Sequence, residues 1–479
     1  MKRCGILLPV FSLPGKYGIG SMGEEAYRFI DFLSDTGQNY WQILPLNPTS
    51  YGDSPYQSPS AFAGNPYFID LDILLSDGLL TLEECEGERA ETIDYGKLYR
   101  MRYAVLRKAY KRFCGRIPSS FYKFSVTNER WLKPYCLFME QKEKNGGVAW
   151  TEWKDRSYSE QEYEEVNFYA FLQFTFFMQW KALKSYANAH DVKIIGDMPI
   201  YVAPDSADVW SLPQNFQLTE TLLPARVAGV PPDAFSETGQ LWGNPLYDWK
   251  YHKKTGYEWW MQRIAYCYQL YDVLRIDHFR GFDEYWFVPY GDPTAQNGHW
   301  EKGPGYELFA VMKKKLGKKK VIAEDLGFLT PSVIRLVKKT GYPGMKILQF
   351  AFDAGNDSEY LPHNYDKNCV VYTGTHDNET LLSWLDDITP GERRQVREYL
   401  NNFKDSGKEL CDDLICLVMQ SVANLCIIPM QDYLGLDNSA RMNQPSTLGK
   451  NWKWRLKEGQ FSKELQKEML ELATRYGRR

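Results

Sequence analysis

The chain has 479 residues, with 57 basic and 61 acidic side chains and a formal net charge of −4. We expect neither nucleic acid nor a membrane among its partners, because there is no basic excess and no apolar stretch long enough to cross a bilayer. The nine cysteines are an odd number without a C-x-x-C pair. This usage is typical of reduced thiols, so we predict a cytoplasmic protein.

The first apolar run, residues 6–10, predicts a strand, and a glycine-rich segment follows it. Residues 18–23 match the G-x-G-x-x-G fingerprint of dinucleotide-binding proteins. We discount a nucleotide site, because a Pro-Gly loop separates the motif from its strand. Glu24 and Glu25 would also place negative charge where a pyrophosphate binds. The segment therefore favours a glycine-rich loop over a substrate.

Two long insertions follow in chain order. The second predicted strand, residues 40–46, leads into a loop rich in hydroxyl and tyrosine side chains at residues 48–60, and such loops often carry function. Residues 71–189 are rich in charged residues and have apolar residues at helical spacing, and we predict a helical subdomain between strands 2 and 3. Residues 214–248 are predicted to be an inserted loop region over the active site.

Eight apolar runs occur along the chain, and helix-like segments separate most of them. The runs begin near Ile6, Tyr40, Lys193, Val273, Lys320, Met345, Cys369 and Leu425. Repeated alternation of strand and helix predicts an α/β protein with a parallel sheet, and eight such units predict a (β/α)8 TIM barrel. Because a bare barrel takes about 250 residues, we expect residues 1–479 to form a single catalytic barrel with large insertions.

Three of the predicted strands end on carboxylates, at Asp277, Glu324 and Asp377. Chemistry in such barrels lies at the carboxyl ends of the strands, so the three acids predict one site. Strand alternation places Arg275 and Asp277 on one face and His278 on the other. The pair of Arg275 and Asp277 alone could be a structural ion pair. As part of a site, the guanidinium would keep Asp277 ionised as a nucleophile, and the partly desolvated Glu324 would be the better proton donor. Such acids suit an oxocarbenium-like transition state.

Nine motifs together resemble one enzyme family. They lie at residues 12–15 (SLPG), 51–58 (YGDSPYQS), 196–202 (GDMPIYV), 229–233 (GVPPD), 242–245 (WGNP), 274–281 (LRIDHFRG), 323–327 (AEDLG), 374–378 (GTHDN) and 441–443 (RMN). These motifs span nearly the whole chain. The sequence resembles the amylomaltases, or disproportionating enzymes, which are 4-α-glucanotransferases related to the α-amylase superfamily.

The resemblance implies transfer of α-1,4-glucan segments from a donor maltooligosaccharide to the 4-hydroxyl of an acceptor glucose or glucan, through a covalent glucosyl-enzyme. It implies that Asp277 is the nucleophile, that Glu324 is the acid and base, and that Asp377 stabilises the distorted sugar. The other residues implied to contact the glucan are Arg275, His376, Asp197, Tyr56, Ser54, Trp242, Asn443 and Tyr51. We expect no cofactor and no metal ion, and we expect maltooligosaccharides and starch or glycogen fragments as partners.

Two positions depart from the family pattern. Ser446 stands where the family usually has the glycine of a Pro-Gly-Thr segment, and Ser383 stands where it usually has a glycine before Trp384. A serine at position 446 loses the freedom of glycine at positive φ, so we expect an altered loop shape there.

Three other functions remain open at this stage: an α-1,4-glucan hydrolase on the same barrel, a glucan-binding protein on a degenerate barrel, and, more remotely, a nucleotide-dependent oxidoreductase. Retaining chemistry predicts that the carboxyls of Asp277 and Glu324 lie about 5–5.5 Å apart.

Overall fold

The computed structural model describes residues 2–87, 89–161, 163–232, 236–327, 329–352, 357–403 and 406–479, and of Tyr51 it describes the backbone but not the side chain. The strands are β1 (Arg3–Leu7), β2 (Tyr40–Gln42), β3 (Lys193–Met198), β4 (Arg226–Val230), β5 (Gln240–Pro245), β6 (Val273–Ile276), β7 (Glu284–Pro289), β8 (His299–Lys302), β9 (Val321–Ala323), β10 (Gly344–Ile347), β11 (Cys369–Tyr372) and β12 (Leu425–Pro429). The α-helices are α1 (Glu24–Asp35), α2 (Leu71–Ser76), α3 (Tyr95–Cys114), α4 (Ser119–Lys144), α5 (Phe168–Ala189), α6 (Ala207–Ser211), α7 (Trp249–Lys254), α8 (Glu258–Leu270), α9 (Tyr306–Leu316), α10 (Pro331–Thr340), α11 (Leu381–Asp387), α12 (Pro390–Leu400), α13 (Gly407–Gln420), α14 (Met430–Tyr433) and α15 (Lys463–Arg475).

The eight predicted apolar runs form one parallel sheet. Its strand order is β10-β11-β12-β1-β2-β3-β6-β9. The two end strands meet where the Ala323 amide donates to the Pro343 carbonyl at 3.0 Å. Nearby, Asp325 Oδ1 accepts the Met345 amide at 2.8 Å. The fold is therefore a (β/α)8 barrel, as the sequence predicted.

The barrel strands are apolar because both of their faces are covered. All four residues of β6 are buried, as are the three of β9 and the four of β11. Helix α1 is one of the helices that cover the outer face of the barrel sheet. Its buried residues, which include Phe29, Ile30 and Leu33, face the sheet. The edge of the Phe29 ring system meets Trp41 of β2, with ring centroids 5.1 Å apart.

Helices α2 to α5 lie between β2 and β3. The aromatic side chains of α5 are core residues, since Phe171 packs on Phe113 of α3 with ring centroids 4.9 Å apart. The same helix also contacts the barrel, because Trp180 Nε1 donates to the Leu270 carbonyl at 3.0 Å. Helix α5 thus serves both the insertion and the barrel wall, and a separate subdomain at residues 71–189 stays a prediction.

A second, four-stranded antiparallel sheet has the order β5-β4-β7-β8. Strands β4 and β5 fall within residues 214–248, where the sequence predicted only a loop region, and residues 233–235 lie outside the described part of the chain. These strands were not predicted because they contain glycine and proline, which normally indicate turns. Gly229 is needed inside β4, because a Cβ there would lie 2.5 Å from the Gln240 carbonyl oxygen.

Within the described ranges, no helix has the length and apolarity that a membrane span requires. The same residues contain no group of three or more histidine, cysteine, aspartate or glutamate side chains that could hold a metal ion. All nine cysteines are free thiols.

Candidate active site

Four barrel strands bring charged side chains to one end of the barrel. Strand β3 carries Asp197, and β6 carries Arg275 and ends immediately before Asp277. Strand β9 ends immediately before Glu324, and β11 ends five residues before Asp377. Because the carboxyl ends of parallel barrel strands lie on one face, residues far apart in sequence meet there.

Arg275 lies at the centre of an ion network. Its Nη1 atom contacts both oxygens of Asp197, at 2.6 and 2.7 Å, and Oδ1 of Asp277 at 3.2 Å. Its Nη2 atom lies 3.2 Å from Oε2 of Glu324. The side chains of Arg275 and Asp197 are 3% and 0% exposed. Charges buried this deeply need direct partners, and the guanidinium provides one for each of the three acids.

The carboxyls of Asp277 and Glu324 form a hydrogen bond with one another. Burial, with the negative charge of Glu324, raises the pKa of Asp277 well above its ordinary value. Burial acts on Glu324 in the same direction, but Arg275, the hydrogen bond to Asp277 and the His278 amide together lower the pKa of Glu324. The pKa values of the two acids therefore shift in opposite directions.

The raised pKa of Asp277 differs from the effect expected of Arg275, which was to favour the ionised carboxylate. The physical reason is that Arg275 interacts most closely with Asp197. Arg275 makes its two shortest contacts with Asp197, and its contacts with both members of the acid pair are 3.2 Å long. The cation therefore does not favour Asp277 over Glu324, and the His278 amide adds to the stabilisation of the glutamate.

The opposite wall of the site is built around Asp377. Its Oδ1 atom accepts Nδ2 of Asn443 at 2.6 Å and lies 3.4 Å from Nε2 of His376. The Tyr56 hydroxyl donates to Oδ2 of Asp197 at 2.8 Å and meets Nε2 of His376 at 2.9 Å. Tyr56 therefore joins the two walls, while Asp377 remains 46% exposed and accessible to a ligand.

Ser54 and Trp242 lie at the edges of this network. Ser54 Oγ accepts the Tyr56 amide at 3.2 Å, which holds the turn that presents the tyrosine. Trp242, on β5, packs edge-on against His278, with ring centroids 4.8 Å apart and planes at 86°. The side chain of Tyr51 lies outside the described residues. The structure thus brings together every predicted site residue whose side chain it describes.

Two residues at the Asp377 wall were not predicted to belong to the site. Arg441 Nη2 donates to the backbone carbonyl of Asp377 at 2.9 Å, and its place beside Asn443 in one motif was an available signal. The Trp452 ring lies 5.8 Å from Tyr56 and 6.1 Å from His376, measured between centroids. Trp452 adopts φ 65°, a backbone reversal that its sequence does not indicate.

His278 is a third residue that the sequence analysis missed. Its backbone is left-handed, with φ 49° and ψ 48°, which is uncommon for a residue other than glycine. In this conformation its amide donates to Oε2 of Glu324 at 2.5 Å. Strand alternation predicted that His278 faces away from Asp277, but β6 ends at Ile276, so the alternation does not reach it. Burial lowers the pKa of the imidazole to about 4.

Comparison with known proteins matches these features to one family. A family model described as 4-alpha-glucanotransferase matches residues 8–461. A 4-alpha-glucanotransferase from Clostridium butyricum is 53% identical, over 98% of this chain and 99% of its own length. One from Thermus thermophilus is 47% identical, over 96% of each chain. Among solved structures, an amylomaltase from Streptococcus agalactiae in complex with acarbose covers 100% of both chains, with a TM-score of 0.96 and 40% identity. The chain therefore belongs to the 4-α-glucanotransferase family.

Proposed function

We propose that this chain transfers α-1,4-glucan segments from a donor maltooligosaccharide to the 4-hydroxyl of an acceptor glucose or glucan, by double displacement. The hydrogen-bonded pair of Asp277 and Glu324 is the observation that carries the proposal. Inverting enzymes hold their two carboxyls about 6.5–9.5 Å apart to admit water, whereas retaining enzymes hold them about 5–5.5 Å apart. Carboxyls that can touch leave no such gap, which supports a nucleophilic carboxylate and a covalent intermediate.

In the first half-reaction, Asp277 attacks the anomeric carbon while Glu324 protonates the leaving glycosidic oxygen. The proton must therefore be on Glu324 when the bond breaks. A glycosidic oxygen that enters between the two carboxyls separates them. Their mutual hydrogen bond raises the pKa of Asp277 and lowers that of Glu324, so its loss shifts the proton towards Glu324.

In the second half-reaction, Glu324 removes the proton from the acceptor hydroxyl, which attacks the glucosyl-enzyme and releases Asp277. Arg275 keeps the negative charge of the departing carboxylate compensated at 3.2 Å. Asp377 and His376 lie together on the opposite wall, where they can bind the ring hydroxyls of the distorted sugar.

Aromatic rings support a glucan as the substrate. Tyr56, Trp452 and Trp242 surround the acids, and flat amphipathic rings suit the apolar faces of sugars. Strands β4 and β5 bring Trp242 to the cleft. We propose that this hairpin shields the intermediate from water, so that a sugar hydroxyl replaces water as the acceptor.

Incubation with maltotriose tests the proposal. A transferase converts it into glucose and a ladder of longer glucans, because each glucosyl-enzyme passes its segment to another sugar. Maltose and glucose without longer products would instead favour the hydrolase alternative. Trapping with an activated donor and Glu324→Gln should add the mass of one donor segment to the Asp277 peptide, and a trapped adduct elsewhere would reject the assigned nucleophile.

A further inference from the structure

The end of β6 and the turn after it make three hydrogen bonds with Glu324. The Glu324 amide donates to the Ile276 carbonyl at 3.1 Å, and the Phe279 amide donates to the Glu324 carbonyl at 3.1 Å. Between them, the His278 amide donates to the carboxyl oxygen Oε2 at 2.5 Å. The two outer bonds hold the backbone of the acid, whereas the middle one holds the reacting carboxyl itself.

This middle bond depends on the left-handed backbone of His278. Among the common residues, glycine and, less readily, asparagine and aspartate adopt this conformation without a large steric penalty. Strained backbone of this kind concentrates at functional sites, where the surroundings hold it in place. Here the Gly281 amide donates to the His278 carbonyl at 2.9 Å. A Cβ at Gly281 would come within 3.1 Å of the imidazole, so the turn is packed tightly around the ring.

The imidazole of His278 makes a second, separate contact. It packs against the edge of Trp242 at 4.8 Å and lies 6.5 Å from the Tyr201 ring, measured between centroids. Its Nε2 atom is buried and has no hydrogen-bond partner among the described residues. A buried nitrogen without a partner is costly, so hydrogen bonding at Nε2 does not explain why the ring is buried. Its packing supports Trp242 and hence the β4–β5 hairpin.

We infer that His278 is a positioning residue with two separable roles: its backbone amide orients the proton donor Glu324, and its ring seats Trp242 at the cleft. The inference rests on the proposed function. One residue thereby connects the group that protonates the donor with the hairpin that shields the intermediate from water.

Variants at position 278 can separate the two roles. Glycine and asparagine tolerate the left-handed backbone but lack the imidazole, whereas valine, with a branched Cβ, disfavours that backbone. Each variant is assayed with maltotriose and with maltotriosyl fluoride, using glucose as the acceptor. Fluoride leaves without strong acid assistance. The fluoride donor therefore measures the activity of the site without its dependence on the proton donor.

We expect His278→Val to lower turnover of maltotriose about a hundredfold, while the first-turnover burst of fluoride release, which precedes attack by the acceptor, falls less than about threefold. His278→Gly and His278→Asn should keep the wild-type ratio between the two donors. These two variants should instead release a larger share of the segments to water, because Trp242 has lost its support. If the valine variant does not fold, His278→Ala makes the same comparison, because alanine adopts the left-handed region less readily than histidine or asparagine.

His252→Asn is the matched control. His252 is also a buried histidine, but its Nε2 atom pairs with the Asn215 carbonyl at 3.1 Å, away from the acids. This variant should leave both the donor ratio and the share of hydrolysis unchanged.

The role of the amide would be overturned if His278→Val lost activity equally with both donors. It would also be overturned if His278→Gly lost activity with maltotriose as selectively as the valine variant. An unchanged share of hydrolysis in the glycine and asparagine variants would overturn the role of the ring. A wild-type protein that forms no longer glucans would instead reject the proposed function.

Discussion

Two buried arginines lie at opposite ends of the barrel, and their partners differ. Arg275, at the carboxyl end, pairs with three carboxylates. Arg478, the penultimate residue of the sequence, is 0% exposed at the amino end of the barrel. Its guanidinium donates to neutral oxygens of the described residues, including the carbonyls of Met419 at 2.5 Å and of Arg3 and Ala423 at 3.0 Å.

The difference between the partners of the two arginines indicates what each end of the barrel does. Backbone carbonyls do not titrate, so the bonds of Arg478 contribute stability that does not depend on a proton. The partners of Arg275 exchange protons with one another, and two of its contacts are long enough to change during a reaction. This agrees with the general division of such barrels into a catalytic carboxyl end and a stabilising amino end.

Loss of the proposed nucleophile should have the largest effect. We expect Asp277→Asn to lower kcat for maltotriose disproportionation by at least about 10³-fold. Its thermal unfolding should be unchanged, because burial raises the pKa of Asp277 and an amide resembles the protonated carboxyl. Product analysis and calorimetry check both parts. An inactive variant that is also clearly destabilised would show that the catalytic end contributes to stability as well.

Loss of the arginine at the amino end should do the reverse. Arg478→Met leaves several buried carbonyls without a donor, and we expect a loss of about 3 kcal/mol or more in the free energy of unfolding. The kcat of the folded fraction should match the wild type, and the loss should be equal at pH 6 and pH 8. Arg479, which is exposed, provides the control, since Arg479→Met should change neither quantity. A fall in kcat would contradict the separation of the two ends.

His252 tests how a buried group that does titrate affects stability. Burial lowers its pKa to about 4 from an ordinary 6.5. Between these values the unfolded chain holds a proton that the native protein lacks, so stability falls as the pH falls through this window. Relative to His252→Asn, the wild type should lose up to about 3 kcal/mol between pH 7 and pH 4. Urea denaturation across this range measures it, and a constant difference between the two proteins would contradict it.

The smallest effects concern the two family departures. Ser446 adopts φ 63°, so the altered residue sits in a backbone conformation that favours glycine. Ser446→Gly removes a penalty of about 1–2 kcal/mol but adds about 0.5–1 kcal/mol of chain entropy to the unfolded state. We expect a net stabilisation of about 0.5 kcal/mol, measured by chemical denaturation.

Ser383 provides the matched comparison for Ser446. Its Oγ atom accepts the Asn438 amide at 2.8 Å, and it lies inside α11. Ser383→Gly should destabilise by about 1 kcal/mol. Changes of the same sign in both glycine variants would mean that backbone conformation does not decide the effect.

The eight barrel strands could be predicted because each is a local apolar run bounded by turn residues. The second sheet could not be predicted, because β4 and β5 contain the residues that normally indicate turns. Their pairing relies on close approach at Gly229, which appears only when two distant segments are placed together.

Most of the site residues could be recognised from motifs at strand ends. Trp452 was missed because a backbone reversal brings its ring to Tyr56. His278 was missed because strand alternation was applied to it although β6 ends two residues earlier, at Ile276. Both errors arise where a strand or loop ends and the backbone leaves regular geometry.

The sequence by itself determined the order of the strands and the identities of the acids, because hydrophobic periodicity and residue type are properties of neighbouring positions. Only the tertiary structure decided in which direction the pKa of each acid shifts, and that Arg478 is buried at the amino end. Desolvation and electrostatic interaction depend on the distances between atoms, and the segments that supply these atoms are hundreds of residues apart in the case of Arg3 and Arg478.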